Sequence, residues 1–215
     1  MPLPAQVALM VHLLPNPLQG ASFWRSATAL DQLPPDHGSE VAFAGRSNAG
    51  KSSALNTLTG QRGLARVSKT PGRTQELLFF RIDDERRLVD LPGYGYAATS
   101  AARRRDWGEV IPAYFATRQS LRGLLLFMDI RHPLQAGDRQ LLEVAARLHL
   151  PVQPVLTKAD KLARGALHKA LRDVGKELAA LFTVLPPLPM SNLSGDGAAA
   201  VRDQIATWLD GGATD

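Results

Sequence analysis

"EVAFAGRSNAGKSSALNTLTG", residues 40–60, joins a short apolar run to a helical pattern through a glycine-bounded turn. Residues 40–45 read as a buried strand and residues 51–60 as the helix that follows it. Between them Gly45-Arg46-Ser47-Asn48-Ala49-Gly50-Lys51-Ser52 fits G-x-x-x-x-G-K-[ST], in the strand-to-helix setting that such a loop requires. Gly45 and Gly50 let the backbone curl, so that successive N–H groups converge on phosphate oxygens while the helix N-terminus adds positive potential. Lys51 would reach the β and γ phosphates and Ser52 would offer its hydroxyl to Mg2+, with Arg46, Ser47, Asn48, Ala49 and Ser53 completing the cradle. The ligand is therefore a nucleoside triphosphate, and the loop alone leaves its base open.

Working outward, "ELLFFRI" (76–82) and "RRLVDL" (86–91) flank the charged turn "DDE" and read as an antiparallel pair. "GLLLFMDI" (123–130), "PVQPVLT" (151–157) and "FTVLPPLPMS" (182–191) are further strands, separated by helical stretches at 101–120, 137–149 and 161–181. "GAAAVRDQIATWL" (197–209) closes the chain as a helix with Val201, Ile205 and Trp208 or Leu209 facing inward. Strands that alternate with helices predict an α/β fold: about six strands, mostly parallel with one antiparallel strand, and helices on both faces. Ligands of such sheets bind beyond the carboxyl ends of the strands, where every motif of this chain falls.

Composition bounds the rest. With 215 residues, 45% hydrophobic and 21% charged, the chain has the material for one substantial core and not for a second enzyme domain. It contains no cysteine, which excludes disulfides, thiolate metal sites and cysteine nucleophiles and fits a reducing, cytoplasmic setting. The net charge of +5 favours a polyanionic partner. The opening "MPLPAQVALMVHLLPNPLQG" has four prolines and no basic n-region, so residues 1–22 are expected to be a poorly ordered extension rather than a leader or a membrane span. The globular domain is expected over 23–210 and a short tail over 211–215.

"VLTKAD" (155–160) ends an apolar strand with Thr157-Lys158-Ala159-Asp160, which resembles the [NT]-K-x-D signature for guanine. A carboxylate is acceptor-only, so Asp160 suits guanine N1–H and the exocyclic 2-amino group, neither of which adenine offers; a plain helix N-cap is the alternative role. Lys158 can lay its aliphatic stem along the base. Ser191-Asn192-Leu193 follows the last strand, where the base-contacting loop of such proteins lies. Asp90-Leu91-Pro92-Gly93 supplies a carboxylate for the Mg2+ shell and a glycine N–H for the γ phosphate. In "SKTPGRT" (68–74), Gly72 and Arg73 lead into Thr74, 22 residues after Ser52, a threonine placed to complete the metal shell only while the triphosphate is intact.

Together, "EVAFAGRSNAGKSSALNTLTG", "SKTPGRTQ", "VDLPGYGYA" and "TKADKL" resemble the TrmE–Era–EngA–YihA–Septin-like GTPases, and within them the EngB (YihA/YsxC) family. The resemblance runs from about residue 23 to the last helix. It implies a small G-protein fold that binds GTP or GDP with Mg2+ held through Ser52, Thr74 and Asp90. It also implies hydrolysis served by Lys51, Thr74, Gly93 and Asn48, a large-ribosomal-subunit precursor and its rRNA as partners, and a requirement in cell division and septation. A monomer when free, without DNA or membrane partners, is expected. Arg62, Arg66, Lys69 and Arg73, and the run Arg103-Arg104-Arg105, are candidates for rRNA phosphates, with a solvated face as the alternative.

Tyr94 stands where many nucleotide switches carry a glutamine that orients water, and a phenol cannot donate and accept as an amide does. Slow unaided hydrolysis is therefore expected. Asn48 matches the asparagine that binds an activating K+ in some members of this class, the alternative being that it only shapes its loop. A P-loop small-molecule kinase would share the phosphate loop but has no need of "TKAD". An RNA-binding module with negligible turnover is a third reading. His132 and His149 lack metal spacing, and Trp107 and Trp208 are expected as core anchors.

Overall fold

The computed structural model describes residues 16–65, 76–95 and 110–211. Strands β1 (Ser22–Ala27), β2 (Ser39–Gly45), β3 (Leu77–Arg81), β4 (Arg86–Asp90), β5 (Leu121–Asp129), β6 (Val152–Thr157) and β7 (Leu188–Pro189) form one sheet in the order β1-β3-β4-β2-β5-β6-β7. β2 pairs in parallel with β4 and β5, and the parallel run continues through β6 to β7. β3 is antiparallel to both of its neighbours, so it alone runs against the other described strands. The helices are α1 (Lys51–Thr59), α2 (Ile111–Thr117), α3 (Ala136–Arg147), α4 (Arg164–Leu181) and α5 (Ala198–Asp210).

Both faces of the sheet are covered, which is why β2 and β5 read as continuous apolar runs rather than alternating ones. On β5, Leu124, Leu126 and Met128 join the core shared with α2, α3 and α4, and Leu125 and Phe127 join the core under α1 and α5. Phe43 stacks on Phe127 at 5.5 Å in that second core. Val201, Ile205 and Leu209 of α5 are buried there, and Trp208 packs against its margin, so both inward-facing candidates contribute. No helix among the described residues is long and apolar enough to cross a membrane.

The structure refines three details of the sequence reading, whose fold class it bears out. The sheet has seven strands rather than about six, because "SFWRSA" (22–27) adds an edge strand whose Phe23 and Arg25 stay exposed and give no buried-strand pattern. The run 182–191 shrinks to a two-residue strand, since Pro186, Pro187 and Pro189 have no N–H to donate to a ladder. The packed domain also begins before residue 23: Leu18 and Ala21 are buried in the second core, and the Asn16 side chain donates to the Leu58 carbonyl at 2.8 Å. Of the helical stretch expected over 101–120, α2 is the part that lies within the described residues and is helical.

At the amino ends of the parallel strands the sheet buries charge. Glu40, the second residue of β2, is fully buried and accepts from Arg118 Nη2 at 2.6 Å, Arg118 Nε at 2.9 Å, Tyr114 Oη at 3.0 Å and Arg87 Nε at 3.1 Å. Arg118 also donates to the Pro34 carbonyl at 2.7 Å, which draws the segment before β2 onto the end of α2. One carboxylate thus holds two guanidiniums in the interior. Removing it leaves Arg87 without its counter-charge and Arg118 with only the longer contact to Asp36 at 3.5 Å, and an uncompensated buried charge of this kind typically costs about 3–5 kcal/mol. Glu40→Ala is therefore expected to lower the urea-unfolding free energy by about that amount, and a loss below about 1 kcal/mol would contradict this account.

Candidate nucleotide site

The loops that follow β2, β4, β5, β6 and β7 leave the same, carboxyl edge of the sheet, and together they carry the motifs read from the sequence. Gly45 ends β2 and α1 begins at Lys51. Between them Asn48 (φ 67°) and Gly50 (φ 90°) take left-handed conformations, the curl that turns the loop into the helix. The Ala49 N–H closes this turn on the Arg46 carbonyl at 3.0 Å.

The loop's carbonyls are held by the other motifs. The Asn48 carbonyl accepts from Lys158 Nζ at 2.9 Å, and the Ala49 carbonyl accepts from the Thr157 hydroxyl at 2.5 Å. The Gly50 carbonyl accepts the Asn192 side-chain amide at 3.0 Å and the helical N–H of Ala54 at 2.8 Å. Thr157 has one hydroxyl proton, and its longer approach of 3.1 Å to the Met128 carbonyl makes Ala49 the favoured acceptor. Lys158, itself left-handed at φ 59°, bridges onward to Asp129 Oδ2 at 2.8 Å. Its ammonium therefore spans the phosphate loop and the end of β5.

Lys51 and Asp90 are in direct contact, both nearly buried, and join the start of α1 to the end of β4. Asp129 accepts from Arg131 Nε at 2.9 Å and Nη2 at 2.6 Å, and Arg131 first and Lys158 after it hold the Asp129 carboxyl well below the usual range. Asp160 accepts from the Ser191 hydroxyl at 2.8 Å and pairs with Lys161 at 3.2 Å; these two, Ser191 foremost, keep its carboxyl ionised below the ordinary range. The Ser191 oxygen in turn accepts the N–H groups of Leu193 and Ser194, so the loops after β6 and β7 form one unit. Leu193 is 81% exposed at its rim, a large apolar side chain left facing solvent where a flat aromatic ligand would find cover. The Asn192 Oδ1 is buried without a described partner.

The structure thus brings together Gly45–Ser52, Asp90, Gly93, Thr157–Asp160 and Ser191–Leu193. Gly72, Arg73 and Thr74 lie outside the described residues, as do Arg66, Lys69, Arg103, Arg104, Arg105 and Trp107; Arg62 is exposed. The sequence reading missed Asp129 and Arg131. Asp129 closes the apolar run of β5, one strand from Thr157, and the rule that ligands sit beyond strand carboxyl ends applies to it equally. It also missed the partner of Tyr94, whose hydroxyl donates to Asp138 Oδ1 on α3 at 2.7 Å.

A strand–loop–helix phosphate cradle braced by a TKAD loop and by the DLPG turn defines a P-loop GTPase domain. The family described as 50S ribosome-binding GTPase matches residues 40–158. The chain belongs to the EngB family of GTP-binding GTPases. It is 52% identical over 195 residues to a probable GTP-binding protein EngB of Xylella fastidiosa (strain 9a5c), covering 90% of this chain and 96% of that one. The corresponding protein of Stenotrophomonas maltophilia (strain K279a) is 50% identical, with 89% and 96% covered. Among solved structures, a crystal structure of a probable GTP-binding protein engB shares the fold with a TM-score of 0.64 at 20% identity, over 80% of this chain and all of that one. A bacterial selenocysteine-specific elongation factor shares it at a TM-score of 0.56 and 21% identity, over 81% of this chain and 29% of that one.

Proposed function

We propose that this GTPase is a magnesium-dependent, slowly hydrolysing switch that acts in assembly of the large ribosomal subunit and is needed for normal cell division and septation. The observation that carries the switch is the buried contact between Lys51 and Asp90. An interior ammonium and carboxylate need counter-charges, and a bound nucleotide with its metal offers each a new one. With the nucleotide bound, Lys51 would hold the β and γ phosphate oxygens and Asp90 would help to hold the metal. The donor set fits magnesium: Ser52, Thr74 and Asp90 offer only oxygen, and the remaining positions fall to water and phosphate. Bound there, the metal neutralises charge on the transferring phosphoryl group.

In this reading Gly45–Ser53 form the phosphate cradle, its N–H groups other than those of Ser47 and Ala49 serving the phosphates, and Gly72, Arg73 and Thr74 are further nucleotide ligands. Leu91, Pro92 and Gly93 bring a backbone N–H to the γ phosphate. Thr157, Lys158, Ala159 and Asp160 read guanine, with Ser191, Asn192 and Leu193 beneath it. Ser191 supports this role of Asp160 by holding it ionised, the form able to accept from both guanine donors. The ribosomal assignment is supported by the description of the matched family and by the +5 net charge, which favours an RNA partner. The protein acts in the cytoplasm and is a monomer when free.

Potassium is the proposed activator, held with the help of Asn48 beside the phosphates. The left-handed turn at Asn48 leaves its own carbonyl on Lys158, and the side chain is then the group available to a cation. Turnover is expected to be faster in K+ than in Na+, with Asn48→Ala removing the increment; equal rates in the two salts contradict this role. For the partner, sedimentation with ribosomal subunits is expected to carry the protein into the large-subunit fraction with GTP and less so with GDP or no nucleotide. Co-sedimentation that ignores the nucleotide, or none with the large subunit, counts against the proposal.

A further inference from the structure

Gly93 and Tyr94 are built into the molecule from both sides. On one side Gly93 lies against Ser47 of the phosphate loop: a Cβ at position 93 would sit 3.2 Å from the Ser47 hydroxyl and 3.3 Å from its nitrogen. The next carbonyl, that of Tyr94, accepts the Ser47 N–H at 2.9 Å, and Arg46 and Tyr94 form a parallel bridge. On the other side the Tyr94 side chain runs away from the loop to the first turn of α3. Its ring lies over Gly137, where a Cβ would meet ring carbons at 2.7 and 3.0 Å, and its hydroxyl donates to Asp138 Oδ1 at 2.7 Å.

The acceptor is itself fixed. Asp138 is 1% exposed, and its second oxygen accepts the Gln135 N–H at 2.8 Å, half of the capping box that begins α3. Tyr94 is 8% exposed, so the phenol and the carboxylate meet out of water, where a charge-assisted hydrogen bond is strong and an unmade one is costly. The chain Ser47–Tyr94–Asp138–Gln135 therefore links the phosphate loop to a helix cap by bonds with little freedom. Nothing in the phosphate, base or metal roles uses the Tyr94 side chain, Asp138 or Gln135.

We propose that Asp138 is a positioning residue for GTP hydrolysis: acting through the Tyr94 hydroxyl, it holds Gly93 and the DLPG turn at the height above the phosphate loop that the γ phosphate requires. The tyrosine is then a strut, not a failed glutamine. Its phenol does no chemistry on water, and its length is what reaches α3. A γ-phosphate donor displaced by about 1 Å loses much of its value in the transition state while leaving diphosphate binding alone. The inference rests on GTP hydrolysis and on the Gly93 role proposed above, and the diphosphate arm of its test separates its failure from a failure of nucleotide binding.

The test is a double-mutant cycle on single-turnover GTP hydrolysis with Mg2+, run beside GDP affinity and thermal unfolding. Tyr94→Phe removes one oxygen and keeps the ring over Gly137. It is expected to slow hydrolysis about tenfold, equivalent to about 1.4 kcal/mol of barrier, with GDP affinity changed less than about twofold. Asp138→Ala should slow hydrolysis similarly, and the double variant should be no slower than the worse single one, because both remove the same strut. Should Asp138→Ala lose the α3 cap and unfold, Tyr94→Phe alone decides. An unchanged rate in Tyr94→Phe, an equal loss of GDP affinity and rate, or additive losses in a folded double variant would each overturn the proposal.

Discussion

A loop that turns successive N–H groups toward one point must turn its carbonyl oxygens away from it, and the site of this protein is organised around supplying those oxygens with donors. Lys158, Thr157 and Asn192 take the carbonyls of Asn48, Ala49 and Gly50 in order. Two of these three belong to the TKAD tetrapeptide, the proposed guanine reader, and the third to the loop after β7. The phosphate loop and the loops after β6 and β7 are therefore one assembly.

The sheet makes this possible because five neighbouring parallel strands deliver their carboxyl ends to one edge. Rigidity at the opposite edge comes from the ionic cluster on Glu40, which ties β2 to β4, to the end of α2 and to the segment preceding β2. β2 carries both: its second residue is the buried anion and its last is the first glycine of the phosphate loop. Buried charge thus lies near both ends of β2, on Glu40 with its arginines at one and on Lys51 and Asp90 beyond the other. The Lys51–Asp90 contact is the site-side counterpart, and the proposed nucleotide and metal would offer its two members new partners, as nothing does for the Glu40 cluster.

Much of this was legible in the residues, for identifiable reasons. The strand–loop–helix at 40–60 could be read because two glycines, a lysine and a serine have fixed jobs at fixed spacing. β5 could be read because burial on both faces leaves an unbroken apolar run. β1 was hidden because an edge strand with an exposed phenylalanine and arginine has no such pattern, and β7 was overdrawn because its apolar run is interrupted by prolines. Glu40 was not singled out within the run 40–45: its partners Arg87, Tyr114 and Arg118 are 47, 74 and 78 residues away, a separation over which no local pattern carries information. The same holds for Tyr94, whose place after DLPG shows what it is not, while its acceptor stands 44 residues on. Lys158 was read for its stem, and its ammonium was found on the phosphate loop because the left-handed turn at that residue aims it there.

The central claim is that the TKAD loop, the proposed base reader, holds the phosphate loop in shape through its backbone. Thr157→Val tests it most directly, since valine keeps the volume of threonine and deletes the bond to the Ala49 carbonyl. Affinity for GDP and for inorganic pyrophosphate, a ligand with no base, should be measured side by side by calorimetry. The account predicts that both fall by a similar factor of about fivefold, the worth of one hydrogen bond of about 1 kcal/mol. Weaker GDP binding with pyrophosphate affinity untouched would contradict it, because Thr157 would then serve the base alone.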